Sequence, residues 1–240
     1  MSIILAIETS SELASCALLR GDTVIARESS GVRTHSQSIL PMVQELLAEA
    51  GIGLKQCAAI AFGAGPGSFT GVRTACGIAQ GLAYGAGLPV LPLITLEAMA
   101  VACRELHGAT DVVAVLDARM GEVYWAQYRF APDAGGIAEP AAVLPPSLSA
   151  PDGVRPQGEP VACGNGLSAY AEAFPAGGHA EVMPHAEQVA QLASIAFAAG
   201  KTVTAAEAQP LYLRNKIAYT QAERRDMATA AVAKAAEGVA

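Results

Sequence analysis

The sequence predicts an α/β fold of two lobes, and three observations predict it. An apolar run, Ile3 to Ile7, meets an acid at Glu8 and passes through a polar turn into a returning apolar run. A second apolar run, Val112 to Leu116, meets an acid at Asp117 and again leads through a polar turn into an alternating, strand-like segment. Between them Gly63-Ala-Gly-Pro-Gly-Ser-Phe-Thr-Gly71 joins a buried strand to a helix rich in small residues. One device used twice, about one lobe apart, reads as a duplicated unit. The 240 residues divide naturally into two lobes of roughly 100–120 residues each, expected as 1–108 and 109–240.

The elements follow in order. Ile3 to Ile7 is a strand, Glu8 to Glu12 a polar turn, Ala14 to Leu19 a second strand, Gly21-Asp22 a hairpin turn and Thr23 to Glu28 a third strand. Between Ser36 and Ala50 the apolar residues Ile39, Val43, Leu46 and Leu47 keep helical spacing, with Pro41 assigned to the first turn and Gly51 as the stop. Ala58 to Phe62 is a buried strand, Gly63, Gly65 and Gly67 make a tight turn, and Thr70 is the expected N-cap of the next helix. On that helix Gly77, Gly81 and Gly85 recur every fourth residue while Ala75, Ala79 and Ala83 line a neighbouring face, so other backbones can approach on two sides. Leu88 to Leu93 is a strand and Leu96 to Leu106 a helix.

Val112 to Leu116 and Glu122 to Phe130 open the second lobe as strands. Ala131 to Pro160 carries seven prolines and is expected to be loop-rich and peripheral. Val161 to Cys163 is a short strand, Gly164-Asn-Gly166 a tight turn, Leu167 to Phe174 a helix, and Ala186 to Ala199 an alanine-rich helix stopped by Gly200. The last twenty residues or so are helical or frayed.

Composition narrows the function. Charged residues make up 15% and hydrophobic ones 52%, an apolar balance whose surplus suits a lasting partner interface. The net charge of −7, with Lys and Arg scattered, excludes a basic stripe for autonomous nucleic-acid binding. Cys16, Cys57, Cys76, Cys103 and Cys163 stand singly, as reduced core residues of a cytoplasmic protein do. The start lacks the basic region of a signal peptide, and glycines, Gln80, Pro89 and Pro92 divide the uncharged run Thr74 to Leu96, so no membrane span is expected.

Each motif has two readings. The glycine turn invites a phosphate at a helix start with Arg73 nearby, yet it is neither a Walker loop nor a Rossmann turn, and plain strand-to-helix geometry explains it as well. Ser68 lacks the frame of a nucleophile elbow. Glu8 and Asp117 would hold a hydrated metal over a phosphate if the lobes face each other, or are solvated turn acids. Gly164 and Asn165 would pass under a nucleobase or simply turn the chain. His35, His107, His179 and His185 are widely spread with no His-x-x-x-His pair, so no metal site is expected.

The repeated hairpins resemble the actin, sugar-kinase and Hsp70-like (ASKHA) architecture, in which duplicated ribonuclease-H-like lobes face each other across a cleft. With Leu5-Ala-Ile-Glu-Thr-Ser-Ser11, His35-Ser-Gln37, Gly65-Pro-Gly-Ser-Phe-Thr-Gly-Val-Arg73, Asp117-Ala-Arg-Met-Gly-Glu-Val-Tyr124 and Pro210-x-Tyr-Leu-Arg214 in order, the chain closely resembles the TsaB (YeaZ) family. The likeness covers almost the whole chain, leaving out the proline-rich stretch and the tail. It implies the same two-lobed superfamily and a part in making N6-threonylcarbamoyladenosine beside the tRNA anticodon, with TsaD and TsaE.

In TsaD, the sister protein that carries the transferase chemistry, the glycine turn and helix are followed by a metal-binding His-Met-Glu-Gly-His segment. Here the same place reads Thr95-Leu-Glu-Ala-Met99, and threonine and methionine cannot replace two imidazoles, although Glu97 remains. The resemblance therefore implies a non-catalytic partner that docks to TsaD through first-lobe helices, with Ile39, Val43, Leu46, Gly77, Gly81 and Gly85 at the interface. Without TsaD the same surface would give a homodimer. TsaE would join the assembly, and tRNA would bind only through it. No cofactor is required, and the cleft is at most a weak ATP or ADP site built from Glu8, Thr9, Gly65, Gly67, Ser68, Asp117, Gly164 and Asn165. Two rivals stay open: an ATP-dependent phosphotransferase of the sugar-kinase type using Glu8 and Asp117, and a stand-alone nucleotide-binding module.

Overall fold

A computed structural model describes residues 2–29, 35–131 and 139–214. The first sheet contains β1 (Ile3–Glu8), β2 (Ala14–Arg20), β3 (Thr23–Ser29), β4 (Ala59–Gly65) and β5 (Val90–Ile94), in the order β3-β2-β1-β4-β5. β1 pairs antiparallel with β2 and parallel with β4. Its six residues are all buried because both faces of the sheet are covered, which is why the strand reads as an unbroken apolar run. Ile3, Leu5 and Ile7 face helices α1 (His35–Glu49) and α2 (Phe69–Ala86), whereas Ile4 and Ala6 face α3 (Thr95–His107) and α5 (Ala186–Ala198).

The second sheet contains β6 (Asp111–Arg119), β7 (Glu122–Arg129), β8 (Ala141–Ser149) and β9 (Val161–Cys163), in the order β8-β7-β6-β9. It repeats the first sheet strand for strand, without a fifth. β6 turns Val112, Ala114 and Leu116 toward α3 and α5, and Val113 and Val115 toward Trp125 and Leu167. Thus α3 and α5 lie between the two sheets, and their alanines, among them Ala98, Ala102, Ala190 and Ala193, let sheet and helix backbones come close. Gln188 and Gln191 of α5 each donate to Glu105 of α3, at 2.6 and 2.8 Å. No described helix is long and apolar enough to cross a membrane.

Several expectations are corrected. The proline-rich stretch 131–160 contains β8, which tolerates Pro145 and Pro146 because it is an edge strand with a broken register against β7. The expected helix from Leu167 to Phe174 shrinks to α4 (Gly166–Ala169) and one 3-10 turn, Ala171–Ala173. Pro41 lies in the second turn of α1, on its exposed side, where its missing N–H costs one helix bond without burying a gap. The N-cap of α2 is Ser68, whose Oγ accepts from Gly71 N at 3.4 Å; Thr70 already lies inside the helix. The last twenty or so residues lie outside the described ones.

The boundary at 108/109 separates the sheets but not the cores. After the second sheet the chain returns to the first: α5 covers β1, β2 and β4, Val203 and Val90 exchange two 2.9 Å backbone bonds, and Leu211 N donates to Ala64 O at 2.7 Å. The assignment of Ile39, Val43 and Leu46 to a partner interface is also corrected. They are 0–2% exposed and pack with Leu5, Ile7 and Leu18, because the apolar stripe of an amphipathic helix goes first to its own sheet. On α2 the division is sharp. Ala75, Ala79 and Ala83 are buried against the sheet, whereas Gly77, Gly81 and Gly85 are exposed, with no atom of the described residues beyond the neighbouring helix backbone within 4 Å of where a Cβ would stand.

Candidate functional site

The two acid-led turns face each other across a cleft of about 580 Å³. The turn after β1 contributes Ser10 to Glu12, the β6–β7 hairpin contributes Asp117 to Met120, and Arg119 Nη2 reaches Glu12 Oε1 at 3.2 Å. Arg119 and Met120 both hold a left-handed backbone (φ 62° each), a conformation side-chain-bearing residues adopt mainly in tight hairpin turns. Asp117 sets that turn. Its Oδ1 accepts from Arg119 N at 2.7 Å and from Tyr170 Oη at 3.0 Å, Oδ2 pairs with Arg119 Nη1 at 3.0 Å, and its own N–H donates to Asn165 Oδ1 at 2.9 Å.

Of the residues expected to build a nucleotide cleft, Gly67, Ser68, Asp117 and Asn165 line it. Glu8, Thr9, Gly65 and Gly164 do not, and the reason in each case is close packing. Glu8 is wholly buried; its Oε1 accepts from Ser10 N, and its Oε2 lies 1.7 Å from where a Cβ of Gly63 would be, so a glycine is obligatory there. Burial pushes the Glu8 carboxyl above its ordinary pKa, and hydrogen bonds from Ser10, Thr9 and Thr95 only partly oppose this. Thr9 Oγ1 donates to Gly71 O at 2.7 Å. A Cβ on Gly164 would sit 2.2 Å from Val115 O. Of the two readings of these acids, neither fits Glu8, which is sealed in the core, while Asp117 lines the cleft with its carboxylate engaged by Arg119 and Tyr170.

The start of α2 is likewise occupied by the chain itself. Ser68 N donates to Ser10 O at 2.7 Å, Gly71 N is capped, and a Cβ on Gly67 would meet Ser10 O at 2.6 Å. Thr95 and Met99 are core residues. Thr95 Oγ1 accepts from Gly65 N at 3.2 Å, and the Met99 methyl packs toward Gly164. Glu97 lies outside the cleft lining, its carboxyl pushed up to about 7 by burial and by Glu139, against Lys201.

A strap that no local periodicity announces, Leu211 to Arg214, closes one side of the cleft. Arg73 of α2 lies 3.7 Å over the Phe69 ring, and its Nε donates to Tyr212 Oη at 2.7 Å. Arg214 grips the opposite hairpin, donating to Ala118 O at 3.0 Å and pairing with Glu122. The strap thus spans both lobes. Its signal in the sequence is the Pro210-x-Tyr-Leu-Arg214 block.

The fold brings together two histidines that the sequence spacing keeps apart. His107 and His179, far apart in sequence, stack with ring centroids 3.4 Å apart and planes 7° from parallel, and both face Glu181. These three lie outside the cleft lining.

Comparisons with known proteins agree on one family. The family model for TsaD, tRNA N6-adenosine threonylcarbamoyltransferase, matches residues 23–237. The tRNA threonylcarbamoyladenosine biosynthesis protein TsaB of Escherichia coli K12 is 45% identical over 224 residues, spanning 90% of this chain and 96% of that protein. Its Haemophilus influenzae counterpart is 40% identical over 232 residues, spanning 93% and 98%. Among solved structures, YeaZ from Pseudomonas aeruginosa superposes with a TM-score of 0.81 at 39% identity, over 89% of this chain and the whole of that one.

Proposed function

The chain belongs to the TsaB (YeaZ) family of tRNA threonylcarbamoyladenosine biosynthesis proteins, and from that premise we propose that it acts as the non-catalytic subunit that docks to TsaD. Its fold is the ASKHA type, with duplicated ribonuclease-H-like lobes. The observation that carries the docking is the outer stripe of α2. Gly77, Gly81 and Gly85 stand exposed with open space around each, beside Tyr84 at 85% exposure, and Arg73 is the sole charged residue of this helix. An uncharged surface with no side chains along its ridge gains little from water and suits close approach by a partner's helix. The partner-facing residues are then Gly77, Gly81 and Gly85, with exposed α1 positions such as Leu40 and Gln44 replacing the inward-facing Ile39, Val43 and Leu46.

The non-catalytic role is supported by what the cleft residues already do. Asp117 is engaged by its hairpin and Asn165, the glycine turn by Ser10, and Arg73 by Phe69 and Tyr212. In this reading ATP or ADP binds the cleft weakly and no cofactor is required. The α2 stripe also pairs two copies when TsaD is absent, TsaE joins the assembly, and tRNA, which dictates work in the cytoplasm, is held by the complex. The test is reconstitution. Mixing the chain with purified TsaD, TsaE and tRNA should give a defined complex and threonylcarbamoyl transfer that stops when this chain is omitted; transfer at full rate without it refutes the role.

A further inference from the structure

The strongest unassigned cluster is at the C-terminal end of α3, outside the cleft lining. His107 is the last residue of that helix, and His179 follows two glycines in left-handed backbone, Gly177 and Gly178. The His179 backbone is fixed from three sides: its N–H donates to Ala162 O at 2.9 Å, and its carbonyl accepts from Gly164 N at 3.0 Å and Val182 N at 3.2 Å. Glu181 Oε1 lies 3.4 Å from His107 Nε2 and 3.5 Å from His179 Nδ1. One donor atom from each of the three residues falls within 4.8 Å of the others.

From this geometry we infer that His107, His179 and Glu181 form a site for a divalent transition-metal ion, with zinc the best-matched occupant. Two imidazoles and a carboxylate are the donors that borderline metals prefer. Zinc bonds of about 2.0–2.1 Å give a tetrahedron whose edges are about 3.3–3.4 Å, close to the two nitrogen–oxygen separations already present. The fourth position faces solvent and takes water in the isolated chain. An imidazole lone pair lies in its ring plane, so two parallel rings cannot both aim at one ion, and capture requires the stack to splay. The side chains are free to do so, being 27% and 34% exposed on backbones that stay fixed. The ion joins the end of α3 to the loop after β9, and so fastens the helix between the sheets to the second lobe.

Zinc chloride titrated into the full chain by calorimetry, with elemental analysis after dialysis, should show one ion per chain at micromolar concentration. His107→Ala with His179→Ala should abolish binding. Glu181→Gln, an exposed and structurally mild change, should weaken it at least tenfold, while His35→Ala leaves it intact. Cobalt in place of zinc should give a visible absorption band that the double variant loses. No binding at micromolar zinc, binding that survives the double variant in folded protein, or binding lost instead when the cysteines are alkylated would each overturn the assignment.

Discussion

Arg73 Nε donates a 2.7 Å hydrogen bond to the hydroxyl of Tyr212, joining positions 139 residues apart. The bond ties the C-terminal strap to the helix that follows the glycine turn, while Phe69 packs against both partners. Tyr212→Phe should cost about 0.5–1 kcal/mol for the lost hydrogen bond, and Tyr212→Ala about 1–2 kcal/mol once the ring contacts go as well. Trypsin should then cut sooner at Arg214, which is shielded at 16% exposure while the strap is closed. Unchanged melting and unchanged proteolysis would show that the strap is held by its backbone alone.

Burial raises two carboxyls, and the sign of their effect on stability follows. Glu8 and Glu97 both bind protons more tightly folded than unfolded, Glu97 from an ordinary 4.5 up to about 7. Their contribution is fully present below the unfolded value and is lost as pH rises through the folded one. Stability carried by Glu97 should therefore fall between pH 4.5 and about pH 7. Glu97→Gln should flatten that part of the profile by on the order of 1–3 kcal/mol, read from melts across the range. An unaltered slope in the variant would mean that Glu97 is hydrated in solution.

Much of the architecture is legible in the sequence because it rests on short-range pattern. The runs Ile3–Ile7 and Val112–Leu116, each closed by an acid, mark an interior strand of each sheet, β1 and β6. What escapes is set by distant contacts. Nothing local to Ala141–Ser149 announces a strand; its place beside β7 comes from the duplicated order of the sheets. Helical spacing marks Ile39, Val43 and Leu46 as one face but does not say whether sheet or partner covers it. Glu8 looks like a solvated turn acid until Gly63 is seen to make room for its carboxylate, and His107 meets His179 only after the chain has crossed the second sheet.

The engaged state of Asp117 bears on catalysis. Among the described residues, the Asp117 carboxylate is held by Arg119 and Tyr170, Glu12 pairs with Arg119 and Glu8 is sealed away, so these acids do not stand as a free pair to position a metal-bound phosphate. ATP hydrolysis by the isolated chain should stay far below roughly 1 per second, the low end of ordinary enzymes. A phosphate-release assay decides it, and turnover that disappears in Asp117→Asn would restore the phosphotransferase reading.

The net charge of −7 makes a second solution property testable. The chain alone should hold tRNA no more tightly than roughly 10 µM at physiological salt, with retention appearing only when TsaD is added. Filter binding at two salt concentrations separates the cases, because a steep salt dependence for the lone chain would expose a basic surface absent from its composition.

Two faces of one helix give the sharpest test of docking. Gly81 has open space where a side chain would project, whereas Ala79, two residues earlier, is wholly buried against the first sheet. Gly81→Leu should leave the fold intact and favour the helix by roughly 0.5–1 kcal/mol, so any lost association cannot be blamed on a weaker helix. Ala79→Leu should overpack the core, costing about 1–3 kcal/mol and lowering the melting temperature. If the outer stripe of α2 meets TsaD, the first variant should melt at or above the parent temperature yet fail to form the complex on size exclusion. The second should lose stability in proportion to its overpacking, whether or not a partner is present. A Gly81→Leu chain that still binds TsaD normally would move the interface off this stripe, and one that unfolds would mean that the glycine face is covered by the chain's own residues in solution.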